Sequence, residues 1–105
     1  MEYQVVLTEQ AVHDLVEIYS YILNNLQSKP SADNTLNRLN LAMKGLSVMP
    51  KRYRRYAKEP WYNRGLRFLP VGNYSVLYLV DDSKSVVSII HVVYGKRDLD
   101  KVLAD

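Results

Sequence analysis

The sequence predicts a two-layer α+β domain in which an N-terminal strand and an antiparallel hairpin of two helices pack on an antiparallel sheet. Three observations support this fold class. Residues 2–8 alternate between apolar and polar side chains, residues 9–49 hold two amphipathic segments with helical spacing, and residues 64–99 hold three runs rich in β-branched and aromatic residues. The predicted element order is β-α-α-β-β-β, with room for a short C-terminal helix. Neither helix can bury its apolar stripe alone, so we expect the hairpin to cover one face of the sheet.

Length and composition indicate one globular domain over residues 1–105. Hydrophobic residues make up 48% of the chain and charged residues 24%, which is typical of a folded protein and not of a disordered one. The chain has no cysteine, so disulfides and thiolate metal sites are excluded, and two histidines make a histidine metal site improbable. We expect no cofactor. The first ten residues lack a basic leader, and no apolar run reaches the roughly 20 residues that span a bilayer, so we expect a cytoplasmic protein with no membrane partner.

The first strand and helix are predicted from residues 2–26. Tyr3, Val5 and Leu7 fall on one side of an alternating segment, which predicts a half-buried strand. Thr8 offers a hydroxyl to cap the helix that follows, and Glu9 suits the positive end of the helix dipole. Apolar side chains then recur at spacings of three and four through residue 26. The predicted buried stripe consists of Val12, Leu15, Val16, Tyr19, Ile22, Leu23 and Leu26.

A second helix is predicted after the break at residues 28–31. Ser31 is the predicted cap, and Pro50 is predicted to end the helix. Its predicted stripe consists of Leu36, Leu39, Met43 and Leu46. Two helices of similar length with so short a link should fold back on each other as an antiparallel hairpin.

Residues 51–62, KRYRRYAKEPWY, show no helical or strand period, which predicts a loop or a frayed continuation of the second helix. The segment 51–67 has seven basic residues against one acidic residue, a net charge of +6, and since the whole chain carries +3, the remainder carries −3. Such a field attracts nucleic-acid phosphates or an acidic protein segment, and the interleaved rings fit unpaired bases of a single strand. The candidate target-binding residues are Lys51, Arg52, Arg54, Arg55, Lys58, Tyr56 and Trp61. In the alternative interpretation, Trp61 and one or two tyrosines anchor the loop to the core.

Residues 64–99 predict a three-stranded antiparallel meander with turns at 71–73 and 81–84. On the middle strand, Tyr74, Val76, Tyr78 and Val80 point one way and Ser75, Leu77 and Leu79 the other. On the last strand, Val87, Ile89 and Val93 oppose Val86, Ile90 and Val92. Both faces of the sheet are therefore apolar. Because the helices cover only one face, we expect a partner protein to cover the other.

Charged and titratable residues lie at the outer ends of this meander. The first strand is predicted to carry Arg64 and Arg67, and Tyr94, Lys96 and Arg97 lie where the last strand ends. The first and last strands both flank the middle strand, so these residues are expected to converge. His91 and Tyr94 are separated by an odd number of positions, so on an unbroken strand they point to opposite faces. We prefer Tyr94 as the site residue and expect His91 to be packed or interfacial.

Three motifs together resemble the RelE/ParE superfamily of toxins from bacterial type II toxin–antitoxin modules. They are the helix TEQAVHDLVEIYSYI, the strand and turn RGLRFLPVGNYSVLYLVDD, and the closing HVVYGKRDL. The resemblance covers essentially the whole chain. It implies a toxin in a hetero-oligomer with an acidic, partly disordered cognate antitoxin. It also implies one of two targets: RelE-like members cut mRNA on the ribosome without a metal, whereas ParE-like members bind and poison DNA gyrase and need no catalytic residues.

The residues favour mRNA cleavage as the first hypothesis. Metal-free RNA cleavage needs charge stabilisation and proton transfer at one phosphate. By resemblance, Arg64, Arg67, Lys96 and Arg97 would stabilise charge, and Tyr94 would act as the acid or base. Two departures favour the gyrase alternative: Ser75 stands where many relatives have arginine, and Tyr94 where they often have histidine. A nucleic-acid-binding module without toxicity is the third hypothesis.

Overall fold

The structure, a computed structural model, describes residues 2–95 and 99–103. Its elements are β1 (Gln4–Leu7), α1 (Glu9–Asn25), α2 (Lys29–Lys44), α3 (Trp61–Arg64), β2 (Arg67–Val71), β3 (Tyr74–Asp81), β4 (Val86–Tyr94) and α4 (Leu99–Val102), with 3-10 turns at Gly45–Ser47 and Pro50–Arg52. The predicted α+β class is confirmed, and the element order differs from the prediction only by the short helix α3. No helix in the described part of the chain combines the length and apolar character needed to cross a membrane.

The four strands form one sheet in the order β1-β4-β3-β2. The meander of β2, β3 and β4 is antiparallel, as predicted. β1 instead pairs parallel with β4, with Gln4 opposite Val86 and Leu7 opposite Ile89, so the sheet is mixed and not wholly antiparallel. Side-chain alternation reports which face of a strand is buried and carries no information about strand direction. The direction of β1 therefore had to come from the structure.

The α1 helix begins as predicted but buries a different stripe. The Thr8 hydroxyl accepts a hydrogen bond from the Ala11 amide at 3.2 Å, which confirms the cap. Burial centres on Ala11, Leu15 and Ile22, whereas Val16 is 57% exposed. The predicted members Val12, Val16, Leu23 and Leu26 are all exposed. The helix carries apolar residues on two sides, and it packs against the sheet through the side that includes the small Ala11.

The α2 helix starts and ends earlier than predicted. Ser28, and not Ser31, is the cap, because Pro30 fits the first helical turn, where a missing N–H costs nothing. The helix ends at Lys44 before Gly45, and Pro50 instead begins a 3-10 turn. The predicted apolar stripe is correct: Leu39, Met43 and Leu46 are buried and Leu36 packs against them.

A β-bulge in β4 changes which side chains face the helices. Tyr78 pairs with Ile89 but Leu77 pairs with His91, so Ile90 is an extra residue on β4. A bulge shifts the alternation of every residue beyond it by one position. Val87, Ile89 and Val92 therefore lie in the core under the helices, and Ile90 and Val93 lie on the opposite face. The predicted faces of Val92 and Val93 are thus reversed.

The second face of the sheet is covered by the chain itself. This second core contains Tyr56, Leu66, Leu77, Val93, Leu99 and Leu103, with Trp61, Phe68, Leu79, Ile90 and Val102 packed against it. The Trp61 indole N–H donates to the Leu103 carbonyl at 3.3 Å, which joins the loop to the C-terminal helix. The prediction that a partner protein covers this face is therefore wrong. The segment before β2 and the helix α4 supply the cover.

Asp14 completes the edge of the sheet where β1 stops. β1 reaches only as far as Ile89, so beyond that residue β4 has β3 on one side and no strand on the side of β1. The Asp14 carboxylate of α1 accepts a hydrogen bond from the Val92 amide at 2.9 Å and lies 3.0 Å from His91 Nδ1. One side chain thus fixes the helix layer to the sheet.

We expect Asp14→Ala to lower the free energy of unfolding by about 1–3 kcal/mol, because the largely buried Val92 amide loses its acceptor. Urea denaturation measures this loss. Glu17→Ala is the matched control on the same helix, since Glu17 is exposed, pairs with the exposed His13 ring, and should cost less than about 1 kcal/mol when truncated. Equal losses for the two variants would contradict the role given to Asp14.

Candidate functional site

Two of the predicted catalytic residues, Arg67 and Tyr94, lie apart in the folded chain. Arg67 lies opposite Tyr78 at one end of the meander, whereas Tyr94 lies opposite Tyr74 at the other end. Four residues along the strands and two strands across the sheet separate them, a distance of about 16 Å for standard strand geometry. Lys96 and Arg97 fall outside the described residues. The convergence expected from the meander therefore does not hold for Arg67 and Tyr94.

Arg64 lies on a helical turn and not on the first strand of the meander, where it was predicted. The four residues of α3 end at Gly65, whose φ of 82° is a left-handed conformation that glycine adopts without strain. The Arg64 guanidinium lies 5.0 Å from the centroid of the Trp61 ring. Arg64 thus belongs to the loop that precedes β2.

Tyr94 lies at the end of a groove between the helix hairpin and the sheet. Its ring is 56% exposed and meets the Tyr74 ring edge to face, with the centroids 5.4 Å apart. The groove has a volume of about 910 Å³ and is lined by α1, α2 and the ends of β3 and β4. Burial raises the pKa of the Tyr74 hydroxyl, and the nearby Arg38 guanidinium opposes that rise. A tyrosine so placed stays neutral near pH 7.

Arg38 is a residue of this groove that the sequence did not indicate. Its guanidinium lies against the turn between β2 and β3, where a methyl group on Gly72 would approach Nη2 to 2.7 Å. The contact depends on how the helix hairpin crosses the sheet, so no local pattern could have revealed it. The groove also holds the carboxylates of Asp14 and Glu17. Its charge is therefore mixed.

His91 and Tyr94 both line the groove, although strand alternation predicted opposite faces. The bulge at Ile90 precedes both residues, so it does not change their relative alternation. His91 reaches the groove because it lies on the edge of β4 that β1 leaves open. The His91 ring contacts the Asp14 carboxylate and is mostly buried. His91 is thus packed, as expected, at the edge of β4.

Residues 51–67, which we call the basic segment, extend the sheet beyond β2. The Tyr56 amide donates to the Leu66 carbonyl at 2.8 Å, and the Phe68 amide donates to the Arg54 carbonyl at 3.2 Å. Arg55 lies opposite Arg67 in an antiparallel bridge. These bonds align residues 54–56 along the outer edge of β2. We call the five arginines of residues 51–67, which are Arg52, Arg54, Arg55, Arg64 and Arg67, the basic edge.

Aromatic rings and carbonyl groups hold four of these arginines. The Arg52 guanidinium lies 4.9 Å from the centroid of Tyr53, that of Arg55 lies 5.2 Å from Tyr62, and Arg64 stacks on Trp61 as described above. Arg67 donates to the Tyr53 carbonyl at 2.7 Å. Each exposed cation–π contact contributes about 0.5–1 kcal/mol. Arg54 is exposed and has no side-chain partner among the described residues.

Lys51 differs from the arginines because it is neutralised. Its ammonium group pairs with the Asp82 carboxylate, which also accepts a hydrogen bond from the Tyr3 hydroxyl at 2.8 Å. The hydrogen bond from Lys51 has the larger effect and that from Tyr3 the smaller, and together they hold the pKa of Asp82 below its usual range. Lys51 is therefore a weaker candidate for target binding than the basic edge. Lys58, the remaining predicted cation, is exposed in the same loop.

Two aromatic rings of the basic segment pack in the second core. Tyr56 is 8% exposed in the second core, and Trp61 packs on that core. Among the two predicted roles, the anchoring alternative therefore describes Tyr56 and Trp61. Tyr78 has a related role in the first core, where its hydroxyl donates to the Pro50 carbonyl at 2.6 Å and burial raises its pKa to about 12. No cluster of three metal-ligating side chains occurs in the ranges 2–95 and 99–103.

Comparisons with known proteins match almost the whole chain. A family model described as the ParE toxin of the type II toxin–antitoxin system, parDE, matches residues 5–99. No curated protein sequence gives a match. A solved structure of the chromosomal ParDE system from P. aeruginosa superposes with a TM-score of 0.73 at 18% identity, covering 90% of this chain and 98% of that one.

Two RelE-type structures are also similar. The RelBE2 toxin–antitoxin complex from Mycobacterium tuberculosis gives a TM-score of 0.62 at 25% identity and covers 90% of this chain and 99% of that one. A mutant of the E. coli toxin RelE in the free state gives 0.62 at 20% identity, covering 99% of this chain and 93% of that one. The fold is therefore common to toxins of both kinds.

The placement of the rings predicts unequal effects of truncation. Tyr56→Ala removes a ring from the second core and should lower the free energy of unfolding by about 3 kcal/mol. Tyr62→Ala, the matched control, removes a ring that is 44% exposed and should cost about 1 kcal/mol or less. Urea denaturation of both variants measures the difference. A tolerated Tyr56→Ala would place this ring at the surface.

Proposed function

The chain belongs to the ParE toxin family of type II toxin–antitoxin systems, and we propose that it poisons DNA gyrase without catalysing a reaction. This membership agrees with the predicted RelE/ParE superfamily. The residue pattern alone favoured cleavage of mRNA. The arrangement of the same residues in the folded chain favours binding. The toxin would act in the cytoplasm, where gyrase meets DNA.

The observation that carries this proposal is the separation of Arg67 from Tyr94. Cleavage of one phosphodiester needs the base, the acid and the charge-stabilising cation within hydrogen-bond reach of the same few atoms. The two Cα atoms lie about 16 Å apart by strand geometry, and the Arg67 guanidinium donates to the Tyr53 carbonyl at 2.7 Å and is not directed toward Tyr94. Arg38, the cation that lines the groove of Tyr94 among the described residues, lies against Gly72. A binding surface, by contrast, needs no such convergence.

Two further residues support a function without catalysis. Ser75 is 2% exposed on the face of the sheet away from the groove, so its position offers no cation to a bound phosphate. His91 is held by Asp14 at the edge of β4 and is mostly buried. These are the two other positions in the meander at which an RNase of this superfamily would be expected to carry chemistry.

An antitoxin is the partner that the similar structures support, since they include ParDE and RelBE complexes. We propose that the cognate antitoxin is acidic and contacts the exposed apolar residues of α1. Val12, Val16 and Leu26 provide such a surface, because the structure leaves them uncovered. The second face of the sheet is closed to it by α4 and the loop before β2.

A supercoiling assay beside a translation extract separates the two targets. We expect purified toxin to block supercoiling by gyrase while mRNA in the extract stays intact. Tyr94→Phe and Arg67→Ala should both leave mRNA unaffected, because neither residue acts on RNA. Cuts at codon positions in the extract, reduced at least tenfold by either substitution, would instead establish the RNase function.

Expression in a bacterium tests toxicity itself. We expect growth to stop when the chain is produced alone and to resume when the neighbouring antitoxin gene is co-expressed, because the free toxin reaches its target. A plate count over several hours measures both effects. Unchanged growth without the antitoxin would favour the third hypothesis, a binding module without toxicity.

A further inference from the structure

The five arginines of the basic edge carry a formal charge of +5. In the part of the chain that the structure describes, none of them pairs with a carboxylate. Glu59, the acid of the basic segment, instead accepts a hydrogen bond from the Asn63 amide at 3.1 Å. Arg55 and Arg67 lie directly opposite each other, and like charges in that arrangement destabilise a sheet. A bound polyanion would remove this repulsion.

Stacking prepares these arginines for a phosphate ligand. A guanidinium near a ring can direct its N–H donors away from the ring, and that fork matches two phosphate oxygens. Arg55 and Arg64 lie near Tyr62 and Trp61 in this way, and one Arg55 nitrogen also donates to the Tyr62 carbonyl at 3.4 Å. Arg52 lies near Tyr53 but donates to the carbonyls of Val48, Met49 and Gly45, so it contributes its charge and not a free fork. Side chains that are already ordered lose less entropy when a ligand binds. The basic edge is thus arranged before any ligand arrives.

Because arginines contact these rings, the rings are not available to stack on unpaired bases. Tyr53 packs against the first core and Trp61 against the second, and each has a guanidinium near its ring. Tyr56 is buried. Only Tyr62, among the four rings of the segment, is exposed, and Arg55 lies over it. Single-stranded nucleic acid needs free rings for its bases, whereas a duplex needs only cations for its phosphates.

We propose that the basic edge binds the phosphate backbone of duplex DNA without reading its sequence. Arg55 and Arg67 share one face of the sheet edge, and Arg54 lies on the other by alternation. Cations on both sides of an edge can face the two phosphate rows that border a groove of the duplex. This inference goes beyond the proposed function, because it requires no gyrase. If gyrase is the target, the basic edge would also hold the toxin on the DNA that gyrase carries.

Fluorescence anisotropy with the purified full chain tests the proposal. The probes are a labelled 20-base-pair duplex and the corresponding single strand, at 50–200 mM NaCl. We expect tighter binding of the duplex, affinities within about twofold for unrelated sequences, and a slope of log affinity against log salt of about −3 to −4, as neutralisation of about four phosphates implies. The double variant Arg54→Ala/Arg55→Ala should weaken binding at least tenfold at 100 mM NaCl.

The matched control is Lys29→Ala/Lys84→Ala, which removes two exposed charges away from the basic edge and should change affinity less than threefold. Urea midpoints of both double variants establish that they fold. Equal losses of DNA affinity in the two double variants would show that binding depends on net charge alone, and would overturn the proposal. Tighter binding of the single strand would overturn it in favour of base stacking.

A third outcome is that the duplex does not bind but a labelled polyglutamate peptide does, and that Arg54→Ala/Arg55→Ala abolishes binding of the peptide. This outcome would assign the surface to an acidic protein instead.

The supercoiling assay distinguishes failure of the DNA-binding proposal from failure of the gyrase proposal. A double variant that loses DNA binding but still inhibits gyrase supports the DNA surface and shows that gyrase inhibition does not need it. Wild-type toxin that binds the duplex but spares gyrase overturns only the gyrase proposal.

Discussion

The need to cover two apolar faces of one sheet governs the structure of this chain. β3 presents Val76 and Tyr78 to the helices and Leu77 to the opposite side, and all three are fully buried. The helix hairpin can cover only one face. The segment before β2 and the short helix α4 fold onto the second face and cover it. The position of the basic segment follows from this requirement.

That covering role explains why rings and cations alternate between residues 51 and 67. Tyr56 and Trp61 enter or cover the second core, and the arginines beside them cannot follow because an unpaired charge is costly to bury. The arginines therefore stay at the surface and stack on the rings that anchor the loop. A composition that suggested a platform for unpaired bases thus produces an anchored loop with a cationic outer edge.

Local features were predictable from the sequence and long-range ones were not. The Thr8 cap, the two faces of β3 and the stripe of α2 depend on neighbours in the chain, and the structure agrees with each. The direction of β1, the bulge at Ile90 and the contact of Arg38 with Gly72 depend on how distant segments pack. The expected convergence of Arg67 with Tyr94 was wrong for the same reason. A meander brings together residues at the same end of its strands, and Arg67 and Tyr94 lie at opposite ends.

Stability and binding are coupled in the basic segment. A ring that leaves the second core would release both the loop and the arginine stacked on it, so loss of binding in a ring variant could not by itself identify a contact with the ligand. The arginines are separable, because Arg54 and Arg55 are exposed and their backbone bonds to β2 do not need their side chains. Lysine at position 55 would keep the charge but lose the planar fork and the contact with the Tyr62 ring. The arrangement of the basic edge therefore depends on a loop that also closes the second core.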